Sequence, residues 1–295
     1  MLELRGETLC RSRDGFIVIA TLWILSALAT LALIFSIYIA SAVTSISVRD
    51  DVISAEALIL ASLELTAYHV TVRREDRPSS GRFSFRMNGA NVWVDFCSEA
   101  ARINLNKASK ELLVGLFGTL GANGDDAEQY ADRVIGWRSG RSFASEEALY
   151  QAAGLNYRPR GAPFAHIGEL ALVFGLPPAM VERAMPFVTV FGERSQVNIR
   201  DAAPEVIAAL PGMTPERLNA VLKDRFSPSL AQLGAAQTEV TTEGSKAIRV
   251  TVRMIFGSGR KMTSEAVILI DSGSEPYRVL SWQDDTDPEA RGRRS

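Results

Sequence analysis

The chain has 295 residues, 47% of them hydrophobic, and a formal net charge of −2. That length accommodates an anchor and one or two compact domains. The near-neutral balance excludes a global electrostatic pull toward nucleic acid or anionic lipid. Cys10 and Cys97 are the two cysteines, too few for a disulfide framework or a cysteine-based zinc site. Cys97 reads as a small hydrophobe in a strand.

No charged residue occurs from Phe16 through Val48. The run exceeds the roughly 20 apolar residues that cross a bilayer, and also the 7–15 or so of a secretory signal core. It starts at a Gly15-Phe16 junction behind a leader carrying Arg5, Arg11 and Arg13, whereas the far flank opens with Arg49-Asp50-Asp51. The positive-inside rule places the leader in the cytoplasm and the bulk of the chain outside, which in a Gram-negative cell is the periplasm. Gly15-Phe16 followed by a hydrophobic helix is similar to the processing site of type IV pilins and type II secretion pseudopilins. That likeness implies cleavage between Gly15 and Phe16 by a prepilin peptidase and N-methylation of Phe16. An ordinary signal anchor is the alternative at this point.

From Val43 to Val72 the composition favours helix, with apolar residues recurring at Ile53, Leu60, Leu63, Ala67 and Val70. A single helix from Phe16 to Val72 would be about 85 Å long at about 1.5 Å per residue. Its outer half must lay an apolar face on a domain. Charges and Pro78-Ser79-Ser80-Gly81 then break the helix. Alternating runs Arg82–Met87 and Val92–Cys97 flank Asn88-Gly89, a hairpin signal, with Phe83 and Trp93 expected to pack on the helix.

From Ala101 to about Arg225 the pattern turns helical, in short pieces that end in apolar-Gly-apolar: Leu116-Phe117-Gly118, Ala153-Gly154-Leu155, Phe174-Gly175-Leu176 and Leu210-Pro211-Gly212-Met213. Two pieces open alike, on Ile103-Asn104-Leu105-Asn106 and on Val197-Asn198-Ile199-Arg200. Helix starts follow near Ser109 and Pro204, with Glu111 and Glu205 in first turns that suit the helix dipole. These read as halves of helix-hairpin-helix units. Strands return at Ala247–Phe256, Met262–Ile270 and Tyr277–Trp282; Gln237–Ser245 reads as a loop and the charged tail as disordered.

The fold class expected is α+β: a pilin-like long N-terminal helix on a small antiparallel sheet, with a large helical insertion. The boundaries expected are a leader over 1–15, an anchor over 16–43, a periplasmic helix over 44–72 and first strands over 73–100. The insertion follows over 101–230, then C-terminal strands over 231–283 and a tail over 284–295.

In this order the features resemble those of type II secretion minor pseudopilins of the protein K family (GspK, general secretion pathway protein K). The resemblance rests on Gly15-Phe16, Trp23-Ile24-Leu25, Ile103-Asn104-Leu105-Asn106, Pro186-Phe187-Val188-Thr189-Val190 with Val197-Asn198-Ile199, and Pro276-Tyr277-Arg278-Val279-Leu280-Ser281-Trp282. In most pilins the fifth residue after the cut is Glu, a costly group in a bilayer unless paired. Here it is Ala20, a departure shared with protein K and compatible with a tip position. The resemblance implies a tip complex with minor pseudopilins I and J above a major pseudopilin, support of secreted substrates, and membrane or fibre packing through Ile17, Leu22, Trp23, Leu25 and Leu28. It admits calcium; Asn123, Asp125, Asp126 and Glu128 form an oxygen-rich candidate loop, which reads equally as a helix N-terminus.

The main rival is a membrane-anchored, competence-type DNA-binding protein, because helix-hairpin-helix units bind phosphate backbones. The 101–225 segment carries about as many acids as bases, whereas a DNA binder carries a basic patch, so no nucleic acid is expected. No enzyme is expected either. His69 and His166 are the only histidines, and no Gly-x-Ser-x-Gly, His-Glu-x-x-His or phosphate-binding loop occurs.

Overall fold

The computed structural model describes residues 14–72, 78–140, 143–225, 239–270 and 275–285. The chain divides into two compact units, Met1–Glu56 and Ala57–Ser295.

Helix α1 (Asp14–Val72) begins in the first unit. There the side chains of Leu22, Trp23, Leu25 and Leu28 are 56–75% exposed. The hydroxyls of Thr21 and Thr30 donate to the carbonyls of Val18 (2.9 Å) and Ala27 (2.8 Å), so the segment leaves few polar groups unsatisfied. The span Val18–Ile39 is long and apolar enough to cross a membrane.

In the second unit, α1 continues from Ala57 and packs on a five-stranded antiparallel sheet. The strands are β1 (Ser80–Met87), β2 (Ala90–Ser98), β7 (Ala247–Ile255), β8 (Lys261–Leu269) and β9 (Arg278–Asp285), in the order β1-β2-β7-β8-β9. The buried helix face is Leu58, Ile59, Ser62, Leu63, Thr66, Ala67 and Val70. This corrects the expected stripe, because Ile53 is 66% and Leu60 43% exposed. Two core positions are hydroxyl residues that a search for apolar side chains passes over. The Ser62 and Thr66 hydroxyls donate to the carbonyls of Leu58 and Ser62, each at 2.7 Å, which makes their burial tolerable.

The β1–β2 hairpin turns at Asn88 and Gly89, both with positive φ (51° and 75°), as a two-residue hairpin requires. Val92, Val94 and Phe96 of β2 and Ile248, Val250, Val252 and Met254 of β7 are buried, as their alternation predicts. Phe83 faces inward and lies 4.9 Å from the His69 ring. Trp93 does not pack on the helix. One residue out of phase with Val92 and Val94, it stands on the outer sheet face.

Between β2 and β7 the chain makes the helical block. A short 3-10 turn (Glu99–Ala101) leads to β3 (Ile103–Asn104), α2 (Lys110–Thr119), α3 (Gly124–Arg138) and α4 (Phe143–Ala152). A 3-10 helix (Ile167–Leu172) precedes α5 (Pro178–Ala184), β4 (Val188–Thr189), β5 (Val197–Asn198), α6 (Pro204–Ala208) and α7 (Pro215–Lys223). Two small parallel ladders close the block: β3 pairs with β4, and β5 with β6 (Val240–Thr241). The second corrects the loop expected over 237–245, since Val240 and Thr241 pair with Val197 and Asn198; two-residue strands carry no periodic signal. The block has its own core, including Leu112, Leu116, Phe117, Trp137, Tyr150 and Ile207.

Of the four expected helix-ending glycines, Gly154, Gly175 and Gly212 do sit at turns with positive φ. Gly118 lies inside α2, and the turn glycine of that hairpin is Gly121 (φ 95°). Asp284 and Asp285 belong to β9; the rest of the expected tail, 286–295, lies outside the described residues, as does the leader before Asp14.

Candidate assembly site

Two features set what this molecule can do: the apolar segment of the first unit, and the way the helical block is fastened to the sheet in the second. Gly15 and Phe16 lie in the first turn of α1. Ala20 lies one turn on, and no carboxylate side chain occurs between Phe16 and Val48. Leu22, Trp23, Leu25 and Leu28 are exposed around the helix on a segment without charged side chains, the kind of apolar surface that marks a membrane or protein contact. Of the side chain of Ile17 the structure gives no description.

The block is fastened at Glu99, which follows β2 directly and has no exposed surface. Its Oε1 accepts from Arg249 Nε on β7 at 2.7 Å and from Arg102 at 3.2 Å. Its Oε2 accepts from a second Arg249 nitrogen at 3.1 Å and from the Thr189 hydroxyl on β4. Arg249 also pairs with Glu265 on β8. Burial acts to raise the Glu99 pKa, but the hydrogen bonds and charge of Arg249, with Arg102 and Thr189, outweigh it and hold the carboxyl below its ordinary value. Burial opposes the Arg249 charge too, yet Glu99 and Glu265 raise its pKa on balance. One carboxylate thus joins the last residue of the β2 hairpin, the central strand β7 and the inner ladder of the block.

The two similar openings fold alike. The Asn104 side-chain oxygen accepts from Asn106 N (2.9 Å), and that of Asn198 from Arg200 N (3.0 Å). The backbone NH groups of Ala108 and Ala202 donate to the Asn104 and Asn198 carbonyls. An arginine at the end of each hairpin closes back on the alanine: Arg138 donates to Ala108 O (2.6 Å), Arg225 to Ala202 O (2.9 Å). The asparagines were legible in sequence; the arginine closures were not, because their distance from the asparagine differs between the copies. In the second copy Thr214 caps α7, and Glu216 sits in the first turn, where a phosphate would have to approach.

Asn123 caps α3: its side-chain oxygen accepts from Asp126 N (2.8 Å) and its amide donates to Asp126 Oδ2 (2.9 Å). Asp125 and Asp126 fill the first turn, as the helix dipole favours. Among the described residues no three His, Cys, Asp or Glu side chains converge as a metal would require, so these four residues are not gathered into a donor set. His166 caps the 3-10 helix through Gly168 N (2.9 Å), and exposed His69 touches Phe83; the two histidines serve separate places. Cys97 is a free thiol, pushed up to about 11 by burial first and then by the charge of Asp201.

Residues 94–193 match a family model described as type II secretion system (T2SS), protein K. That segment runs from β2 through β4 and holds Glu99, Arg102 and Thr189 of the junction. The chain is 23% identical over 190 residues to the type II secretion system protein K of Klebsiella pneumoniae, covering 57% of this chain and 58% of that one. It is 24% identical over 200 residues to the protein K of Pseudomonas aeruginosa, covering 59% and 60%. The chain thus spans about three-fifths of the length of these curated relatives. Its fold is similar to a chain in the crystal structure of the GspK-GspI-GspJ complex from the enterotoxigenic Escherichia coli type 2 secretion system. The TM-score is 0.60 at 18% identity, over 81% of this chain and 98% of that one.

Proposed function

From the likeness of its residues 94–193 to type II secretion system protein K, we propose that the chain is a member of that family and a minor pseudopilin at the tip of a periplasmic pseudopilus. In this reading it joins minor pseudopilins I and J, primes the fibre of the major pseudopilin, and supports export of folded proteins across the outer membrane. The observation that carries the reading is the insertion of a helical block, whose first part lies in the matched segment, between β2 and β7 of an α1-backed sheet. Such a block enlarges the head of the subunit, and a subunit with a blocked upper surface terminates a fibre.

The rest follows from the anchor. The prepilin peptidase removes residues 1–15 on the cytoplasmic side, and the new amine of Phe16 is methylated. Residues 16–43 then cross the inner membrane once, with the bulk of the chain in the periplasm. Ala20 in place of the usual Glu needs no amine above it, which suits the top of the fibre. Leu22, Trp23, Leu25 and Leu28, with Ile17, exchange lipid for neighbouring helices as the subunit leaves the bilayer. The domain limits proposed are those at 15, 43, 72 and 100, with the helical block carried on to β6 and the C-terminal strands to Asp285. The role is assembly and not catalysis, and the DNA-binding alternative is not favoured.

The test is assembly of the processed chain with minor pseudopilins I and J of its own system, read by native mass spectrometry of detergent-purified mixtures. The reading predicts one complex containing all three proteins. A chain that stays alone in the presence of an I–J pair contradicts it.

A further inference from the structure

We infer that the outer face of the sheet, around Trp93, is a docking surface for an acidic polypeptide segment. This inference stands on the sheet's own surface and goes beyond the tip assignment.

The strand register defines the face. Side chains in phase with Trp93 point away from α1, because their neighbours Val92, Val94, Val252 and Met254 are the ones buried beneath it. The outermost row runs across the strands as Arg86, Asn91, Ile255 and Lys261. The next row is Ser84, Trp93, Arg253 and Thr263; the third is Arg82, Asp95, Thr251 and Glu265. The fourth contains Arg249 and Val267, both buried, so the face is closed at that end and open over the first three rows.

The open part is basic and carries an aromatic side chain. Arg82, Arg86, Arg253 and Lys261 are exposed, and Trp93 is 37% exposed on a strand whose fold has no use for it there. The face has the opposite sign to the chain as a whole, which carries −2. Asp95 is taken by both Arg82 and Arg253, and Glu265 by Arg249. Among the described residues Arg86 and Lys261 form no ion pair. Trp and Arg concentrate at the energetic centres of protein interfaces.

Charge and spacing select the occupant. Arg86 on β1 and Lys261 on β8 are three inter-strand steps apart, about 14 Å at roughly 4.8 Å each. In an extended chain, two carboxylates four residues apart span about that distance. A segment lying across the strands would bring one acid to each cation and an apolar residue between them onto Ile255 and Trp93. A phosphate-dense ligand fits worse. It would press charge onto Asp95 in the middle of the face, and a single aromatic side chain is a poor stacking platform for successive bases.

The probe is a fluorescein-labelled peptide, acetyl-Asp-Ala-Leu-Ala-Asp, against its Asn counterpart. Anisotropy is read with the full-length chain in a neutral detergent. The Asp peptide is expected to bind at least about tenfold more tightly than the Asn peptide. The pair R86A and K261A, or W93A alone, is expected to weaken it by about tenfold, and R86K to restore most of the affinity. All are exposed positions, where substitution perturbs stability little. Equal binding of the two peptides, no binding, or binding that the R86A/K261A pair leaves unchanged overturns the inference. Displacement of the peptide by phosphatidylglycerol in the micelle, or by a short single-stranded oligonucleotide, at equal anion concentration overturns it in favour of a phosphate ligand.

Discussion

Glu99 ties together three separate segments of the chain. It has no exposed surface, and its two oxygens face Arg249, Arg102 and Thr189. E99A leaves Arg249 with Glu265 alone and strips Arg102 and the Thr189 hydroxyl of their buried acceptor, so it should cost toward the lower end of about 3–5 kcal/mol, read from the urea unfolding midpoint. Replacing Glu99 and Arg249 together by Leu and Met should cost less than E99A. A loss under about 1 kcal/mol for E99A would show that Glu265 alone compensates Arg249. The pH dependence has a definite sign. The folded pKa lies below the ordinary carboxylate value, so the contribution is complete above that value and is lost as pH falls through the folded pKa. Wild type should therefore lose its advantage over E99Q as pH drops below about 4, and hold it at neutral pH. None of this was legible in the chain, because Arg249 lies 150 residues from Glu99. A pattern search sees only an acid after a strand.

At the scale of elements, what was legible depended on period and length. The alternation of Val92, Val94 and Phe96, and of Val250, Val252 and Met254, shows because each strand has one face that is apolar over several successive positions. The α1 stripe was read correctly at Leu63, Ala67 and Val70 and misplaced at Ile53 and Leu60, because Ser62 and Thr66 occupy core positions by donating to their own helix. The short parallel ladders escaped notice because two residues make no period. Helix packing in the block turns on close approach. A Cβ on Gly115 of α2 would fall 2.0 Å from the Ala209 carbonyl oxygen at the end of α6, a backbone atom with little room to shift. Gly118, three residues on in the same helix, would meet nothing within 4 Å. G115A is thus expected to destabilise by about 1–3 kcal/mol. G118A should be neutral or stabilise by about 0.5–1 kcal/mol, since Ala loses less backbone freedom in a helix. Thermal or urea unfolding of both variants tests this, and equal effects would contradict the packing of α2 on α6.

For the whole molecule, the order anchor, strands, helices, strands was readable, since each segment declares its own composition. The uncharged run from Phe16 to Val48 was legible for the same reason. The joining of the parts was not, since it rests on partners far apart in sequence: Glu99 with Arg249, β3 with β4, β5 with β6. The central claim is that this chain enters its pathway as a pseudopilin, and that claim turns on its N-terminus. The most direct measurement is intact mass with N-terminal analysis of the protein taken from membranes, with and without the prepilin peptidase. The account predicts a chain that begins at N-methylated Phe16 only when the peptidase is present. A chain that keeps Met1 in both preparations would contradict it.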